Sequence, residues 1–128
     1  MIFSGELTIP ANTTIFRPVR IVLPVSLGTV RHVWVRWHWG SANLCGARGL
    51  YRTFAQWPLA VGEWFYSSVP GLDFDENIVL DQDPLEIVLE GYNDDDTYPH
   101  SVWFAFNIVR STTDSDTAEF IASLAEPR

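Results

Sequence analysis

The three histidines are the first residues to consider for chemistry, because an imidazole ring can act as a base or as a metal ligand. His32 and His38 share one face of a segment that alternates like a β-strand. At a rise of about 3.3 Å per residue, their Cα atoms are roughly 20 Å apart, which is too far for one ion. His100 lies far along the chain. We therefore predict surface or interface histidines, no metal site and no cofactor.

Covalent catalysis has little support in the sequence. All eight basic residues are Arg, and the absence of Lys removes Schiff-base chemistry. No serine lies in the Gly-x-Ser-x-Gly turn of a hydrolase nucleophile. Cys45 is the only cysteine, which excludes an internal disulfide, and we expect a small, partly buried turn residue. We predict that the protein is not an enzyme. The paired carboxylates of a glycoside hydrolase stay an open alternative, because such pairs are assembled in space.

Acidic residues form three clusters that could collect oxygen ligands around Ca²⁺. The clusters are Asp73–Glu76, Asp81–Asp83 and Asp94–Asp96. None has the spaced pattern of a calcium-binding loop, and Asp is common in turns because its side chain bonds nearby backbone NH groups. We expect solvated turn carboxylates, and a structural Ca²⁺ stays open.

Charge is distributed unevenly along the 128 residues, whose net charge is −8. Residues 1–60 carry six Arg against one Glu, and residues 61–128 carry two Arg against fifteen acids, which gives +5 and −13. An acidic chain repels nucleic acid at long range, so we expect no nucleic-acid partner. Two readings of the asymmetry stay open: basic and acidic surfaces of neighbouring copies could meet, or the charges pair within one fold.

The size and the hydrophobic pattern predict one soluble domain. Forty-seven per cent of the residues are hydrophobic, which is enough for a core. No apolar stretch approaches the roughly 18 residues of a membrane-spanning helix, so we expect no membrane partner. The first residues lack a basic segment followed by an apolar run, and we expect no secretory signal.

Alternation with a period of two is the main structural signal. It recurs in Val19–Leu23, in Leu85–Leu89 and in Val102–Ile108. Residues 54–77 are less regular, with Trp57-Pro58, Pro70-Gly71 and Asp73–Asn77 as expected breakers, although Glu63–Ser67 could form a strand. A short strand is expected at Ile78–Leu80. Seven or eight short strands with no helix between them predict an all-β fold, a two-sheet antiparallel sandwich or jelly roll.

The last residues differ from the rest of the sequence. Asp116 and Glu119 have the spacing of a capping box ahead of apolar residues at helical spacing. We therefore predict a β-sandwich domain over residues 1–112 and a short C-terminal helix or flexible tail over residues 113–128.

Tryptophans on the outward side of two strands are the strongest functional signal. On the strand around residues 30–39, Val33, Val35, Trp37 and Trp39 share one face, and His32, Trp34, Arg36 and His38 share the other. Trp103 likewise lies opposite the Phe104 and Phe106 face. Exposed Trp beside Arg is typical of protein interfaces. The predicted interface residues are Trp34, Arg36, His38 and Trp103.

Two other interpretations of the aromatic residues stay open. Trp34, Trp57 and Trp64 could form a stacking platform for sugar rings, as in a carbohydrate-binding module. Alternatively, the outward assignment is shifted by one residue, or the C-terminal segment covers these side chains. Saturable glycan binding that quenches Trp fluorescence would favour the platform.

Three segments of the sequence carry a resemblance to a known group of proteins. Leu7–Thr13, Gly46–Arg48 and Gly91–His100 resemble segments of small uncharacterised proteins associated with tailed phages and their bacterial hosts. The resemblance implies a virion component assembled in the host cytoplasm, such as a capsid decoration or minor structural protein. It also implies a homo-oligomer that contacts itself and a capsid or other virion protein.

Overall fold

Nine β-strands make up the fold in the computed structural model, which describes residues 1–41, 43–52, 54–59 and 63–110. In chain order they are β1 (Ile2–Ile9), β2 (Val19–Pro24), β3 (Gly28–Trp37), β4 (Cys45–Tyr51), β5 (Phe54–Trp57), β6 (Phe65–Tyr66), β7 (Gly71–Leu80), β8 (Glu86–Asn93) and β9 (His100–Val109). The predicted helix or tail at residues 113–128 lies outside the described residues.

The strands form two antiparallel sheets that pack face to face. Sheet A has the order β1-β9-β3-β7, and sheet B has the order β2-β8-β4-β5, with β6 also paired to β4. Consecutive strands β1 to β4 alternate between the sheets, and β7, β8 and β9 alternate back. With the two-residue β6 left aside, this is the strand order of a jelly roll. The predicted all-β, two-sheet antiparallel sandwich is confirmed.

The core lies between the sheets and is filled by the alternating side chains of both. Phe104 and Phe106 of β9 are fully buried, and their rings lie 6.1 Å apart in a stacked arrangement. Ile87 and Leu89 of β8 face them from sheet B and are also fully buried. Period-two alternation produces this pattern because successive side chains of a strand point to opposite faces.

A bulge in β3 decides which of its side chains face outward. The register shifts between Val30 and His32 in both pairings: β3 has one extra residue relative to β9, and β7 has one extra residue relative to β3. Val30 and Val33 are consequently both fully buried although only two residues, Arg31 and His32, lie between them. The bulge leaves His32, Trp34 and Arg36 on the outer side, as the alternation predicts.

The sequence prediction is wrong at two places on sheet A. Trp39 is fully exposed, because β3 ends at Trp37 and the chain turns at Gly40, whose φ of 99° is a left-handed conformation that glycine adopts readily. Residues 71–77 are part of the ten-residue strand β7, where the sequence predicts a break. Their acidic side chains alternate along an edge strand, which is a common way to discourage edge-to-edge pairing.

Candidate functional site

The outer face of sheet A brings the predicted interface residues together. Cross-strand pairing aligns its side chains in rows that run across β7, β3, β9 and β1. The two central rows consist of Asp73, Trp34, Ala105 and Ser4, and of Gly71, Arg36, Trp103 and Glu6. No strand outside sheet A lies on this face in the part of the chain that the structure describes. We call these two rows the central patch.

Exposure within the central patch matches an aromatic surface with one cationic group. Trp34 and Trp103 are half-buried, and Arg36 is exposed. Ala105 has no exposed surface although it faces outward, which means that its larger neighbours cover it. Among the described residues, the guanidinium of Arg36 has no hydrogen bond or ion pair, so its five donors remain for a partner.

His38 extends the central patch beyond the end of β3. Its backbone N–H donates to the carbonyl of Ser101 at 2.9 Å, which continues the pairing with β9. Its Nε2 lies 2.5 Å from Oε2 of Glu6, on β1. Therefore all four predicted interface residues, Trp34, Arg36, His38 and Trp103, lie on one face of one sheet.

His32 forms the other border of the central patch. Its Nε2 lies 2.6 Å from Oδ2 of Asp73, and its Nδ1 lies 2.8 Å from Oδ1 of Asp75. The hydrogen bond to Asp73, and then the one to Asp75, raise the pKa of His32 above its usual 6.5, because ionised carboxylates accept from both protonated ring nitrogens. The ring also contacts Trp34 edge-on, with centroids 4.5 Å apart. Asp73 and Asp75 therefore lie on a strand and bond to His32, whereas the sequence predicts solvated carboxylates in a turn.

The structure does not bring Trp34, Trp57 and Trp64 together as the predicted sugar-stacking platform requires. Trp57 has no exposed surface, packs on Phe106 in the core, and donates its indole N–H to Glu76 at 3.0 Å. Trp64 is 7% exposed and belongs to the outer side of sheet B. Trp34 lies on the outer face of the other sheet, so the three tryptophans cannot stack on one ligand.

A cluster on the outer side of sheet B explains the burial of Trp64. The guanidinium of Arg48 lies 4.1 Å from the centre of the Trp64 ring, and Tyr92 meets that ring edge-on at 5.1 Å. Glu90 is 2% exposed and binds both Arg48, at 2.9 Å, and Arg20. First-half arginines therefore pair with a second-half acid within one chain. For these two residues, the pairing within one fold is the alternative that the structure supports.

Trp39 is an exposed aromatic residue that the alternation of β3 wrongly places on the inward face. The fully exposed Trp39 borders a cleft of about 400 Å³, together with His38, Ser68 and Pro70. Pro70 also borders an adjoining cleft of about 370 Å³, whose lining includes Trp34, Arg36 and Asp73. Gly40, directly after Trp39, is the sequence signal that marks the end of the strand.

The remaining reactive groups have structural roles. Cys45 is fully buried at the start of β4, and burial, followed by the charges of Asp95 and Asp94, raises the pKa of its thiol to about 12. The thiol donates to Oδ1 of the fully buried Asn93 at 3.3 Å. A thiol in this state is a poor nucleophile. Cys45 is thus a core residue, more buried than the sequence predicts.

The acidic turn between β8 and β9 is held by its own hydrogen bonds. Asp95 accepts from the backbone N–H of Thr97 at 2.8 Å and pairs with Nε2 of His100 at 2.8 Å. The bond to His100 is the main reason why the pKa of Asp95 is lowered. Asn93 donates to the carbonyls of Ile9 and Tyr98 and so anchors both ends of the turn.

The described ranges contain neither a metal-binding cluster nor a membrane-spanning helix. No cluster of three or more His, Cys, Asp or Glu side chains there is arranged to hold a metal ion. Across those same residues, no helix has the length and apolar character to traverse a lipid bilayer. No family model and no curated protein matches the sequence.

Proposed function

We propose that this chain is a non-enzymatic structural protein that binds other protein subunits through the outer face of sheet A. The observation that carries the proposal is the central patch, where Trp34, Arg36 and Trp103 lie side by side. Trp and Arg are the residues most enriched among those that dominate binding energy at interfaces. Large aromatic side chains also supply apolar contact area at low conformational-entropy cost.

The finer form of the proposal is a capsid decoration or accessory protein of a virion. Two observations support it, namely the resemblance of Leu7–Thr13, Gly46–Arg48 and Gly91–His100 to tailed-phage-associated proteins and the jelly-roll strand order. Jelly rolls occur in viral capsid proteins, but they also occur in lectins. A fold alone does not determine function, so the central patch supports protein binding more strongly than the jelly-roll order does. In this form, the partners are further copies of the chain and a capsid protein.

Sedimentation equilibrium tests the proposal directly. We expect the unmutated chain to associate with increasing concentration, and Trp34→Ala and Trp103→Ala to weaken association at least about 10-fold, as for residues central to interfaces. Phe16→Ala is the matched control, because Phe16 is 90% exposed, lies outside sheet A and is also aromatic. A chain that stays monomeric at every concentration, alone and with candidate capsid protein, contradicts the proposal.

A second candidate function is carbohydrate binding, and the exposure of Trp39 favours it. A fully exposed indole beside a cleft offers a flat apolar surface on which a sugar ring can stack. In the adjoining cleft, Arg36 can donate hydrogen bonds to hydroxyl groups, and Asp73 can accept them. The stacking residues of this version are Trp39 and Trp34 in place of Trp57 and Trp64.

Tryptophan fluorescence during titration with neutral oligosaccharides distinguishes the two candidates. If the chain binds sugars, the signal saturates, and Trp39→Ala removes the change while leaving self-association as it was. Protein binding through the central patch predicts the reverse: no saturable response to any sugar, and association that depends on Trp103. Trp103 borders neither cleft, so Trp103→Ala serves as the control for sugar binding.

A further inference from the structure

The central patch is self-complementary under a two-fold rotation. We propose that two copies of the chain pair through sheet A about an axis that lies between β3 and β9 and runs along the strands. In this arrangement, Arg36 of each copy stacks on Trp103 of the other. The inference rests on the proposed function, and it adds the partner and the contact: the partner is a second copy, and the contact is a reciprocal cation–π pair.

The strand register supplies the geometric argument. Arg36 of β3 pairs with Trp103 of β9, and Trp34 of β3 pairs with Ala105. Rotation about an axis along the strands exchanges β3 with β9 and keeps every residue at its own level. A residue of β3 therefore faces its cross-strand neighbour from the second copy. Arg36 faces Trp103 twice, and Trp34 faces the small Ala105 twice, so no tryptophan opposes another tryptophan.

The guanidinium of Arg36 and the indole ring of Trp103 are chemically complementary. Arg36 has no ion pair among the residues that the structure describes, and a guanidinium over an indole face gains about 0.5–2 kcal/mol. The same chain already uses this contact once, between Arg48 and Trp64 at 4.1 Å. On sheet B, both partners come from one copy. On sheet A, Arg36 and Trp103 are neighbours on a face that no other strand of the described residues covers.

Charge argues against the other two-fold arrangement. An axis across the strands would place β7 of one copy over β7 of the other and bring Asp73 and Asp75 of both copies to the same side. Each copy already carries a net charge of −8, so this arrangement adds repulsion. The axis along the strands places β7 over β1 of the second copy, whose outward residues at these levels are Ile2, Ser4 and Glu6. It separates the two pairs of aspartates.

The area of the face is sufficient for a dimer. Four strands at about 4.8 Å spacing and roughly 30 Å of strand length present about 600 Å² per copy. Two such faces bury about 1,200 Å² in total, which is within the range of specific interfaces. Aligned packing of sheets, at about −30° between strand directions, is also the usual geometry for two β faces in contact.

Complementation between two variants tests the inference. In Arg36→Ala and in Trp103→Ala, each homodimer loses both reciprocal contacts, and we expect dimerisation at least about 30-fold weaker. An equimolar mixture of the two variants restores one contact, because Arg36 of one chain meets Trp103 of the other. We expect the mixed dimer to form about 5-fold more tightly than either variant alone. Circular dichroism and thermal melts verify that each variant is folded.

The possible results separate this inference from the proposal beneath it. If the unmutated chain dimerises but the mixture does not regain dimerisation, or if either single variant dimerises normally, the two-fold arrangement is wrong. The proposal that the outer face of sheet A binds protein subunits is unaffected by these results. Recovery in a mixture of Arg36→Ala with Trp34→Ala, instead of with Trp103→Ala, identifies the axis across the strands and overturns the one proposed. A chain that never associates overturns both.

Discussion

The outer faces of the two sheets contain the same kinds of residue and use them differently. On sheet B, Trp64 is held between Arg48 and Tyr92, and Glu90 neutralises the arginine, so the cluster is closed. On sheet A, Trp34 and Trp103 stay half-buried. Their neighbour Arg36 has no ion pair in the described part of the chain.

This difference shows that the neighbours of a Trp–Arg pair decide its role. A carboxylate beneath the arginine and a second ring beside the indole turn the pair into part of the domain's own stability. Without them, the same pair is a surface that gains free energy only when something covers it. Substitutions on the outer face of sheet B should therefore change the free energy of unfolding, and substitutions on the outer face of sheet A should change association.

The largest expected effect comes from truncating Trp64. Trp64→Ala removes a 93% buried ring and its contacts with Arg48 and Tyr92, and we expect the free energy of unfolding to fall by about 3 kcal/mol. The same truncation on the other sheet, Trp103→Ala, should cost about 1 kcal/mol in the monomer. Urea denaturation at concentrations below association measures both. Equal losses would show that the two faces do not differ as described.

A smaller loss is expected when the carboxylate of the sheet B cluster is neutralised. Glu90→Gln leaves the partly buried guanidinium of Arg48 without a counter-charge and weakens the bond between residue 90 and Arg20. We expect the free energy of unfolding to fall by about 2 kcal/mol. Glu63→Gln is the control, because Glu63 is exposed and such changes alter stability by less than about 0.5 kcal/mol. Urea denaturation of both variants at neutral pH is the measurement. A loss that is the same for both would mean that Glu90 acts only through net charge.

Much of the fold could be predicted because alternation is a local property of the sequence. Phe104, Phe106 and Ile108 alternate with other residues, and all three are buried. The outward direction of Trp34 and Arg36 follows from the same rule, even through the bulge at the start of β3. The direction of the side chains along each strand is therefore sufficient to place the predicted interface residues on one face.

The burial of Trp57 and of Glu90 depends on residues that are distant in sequence. Trp57 lies in a segment without alternation, and its burial results from packing on Phe106, which is far away in sequence. Glu90 faces outward, yet two arginines from other strands bury it. The register that brings such residues together is a tertiary property, so periodicity could not reveal it.

The smallest effect concerns the pH response of His32, at the border of the central patch. Asp73 and then Asp75 raise the pKa of His32 above 6.5 in the folded state, whereas the unfolded chain has its ordinary value. The pairing therefore stabilises the fold fully below about pH 6.5, and this contribution is lost as the pH rises through the folded-state pKa. Above it, the imidazole is neutral and the two aspartates lose their counter-charge.

An NMR titration of the His32 Cε1 proton measures this pKa in the folded monomer. In Asp73→Asn combined with Asp75→Asn, the pKa should return toward 6.5, because both hydrogen bonds to ionised carboxylates are lost. Asp81→Asn combined with Asp83→Asn removes the same charge elsewhere and should leave the pKa above 6.5. A similar decrease in both double variants would assign the shift to overall charge and not to the two hydrogen bonds at this border of the central patch.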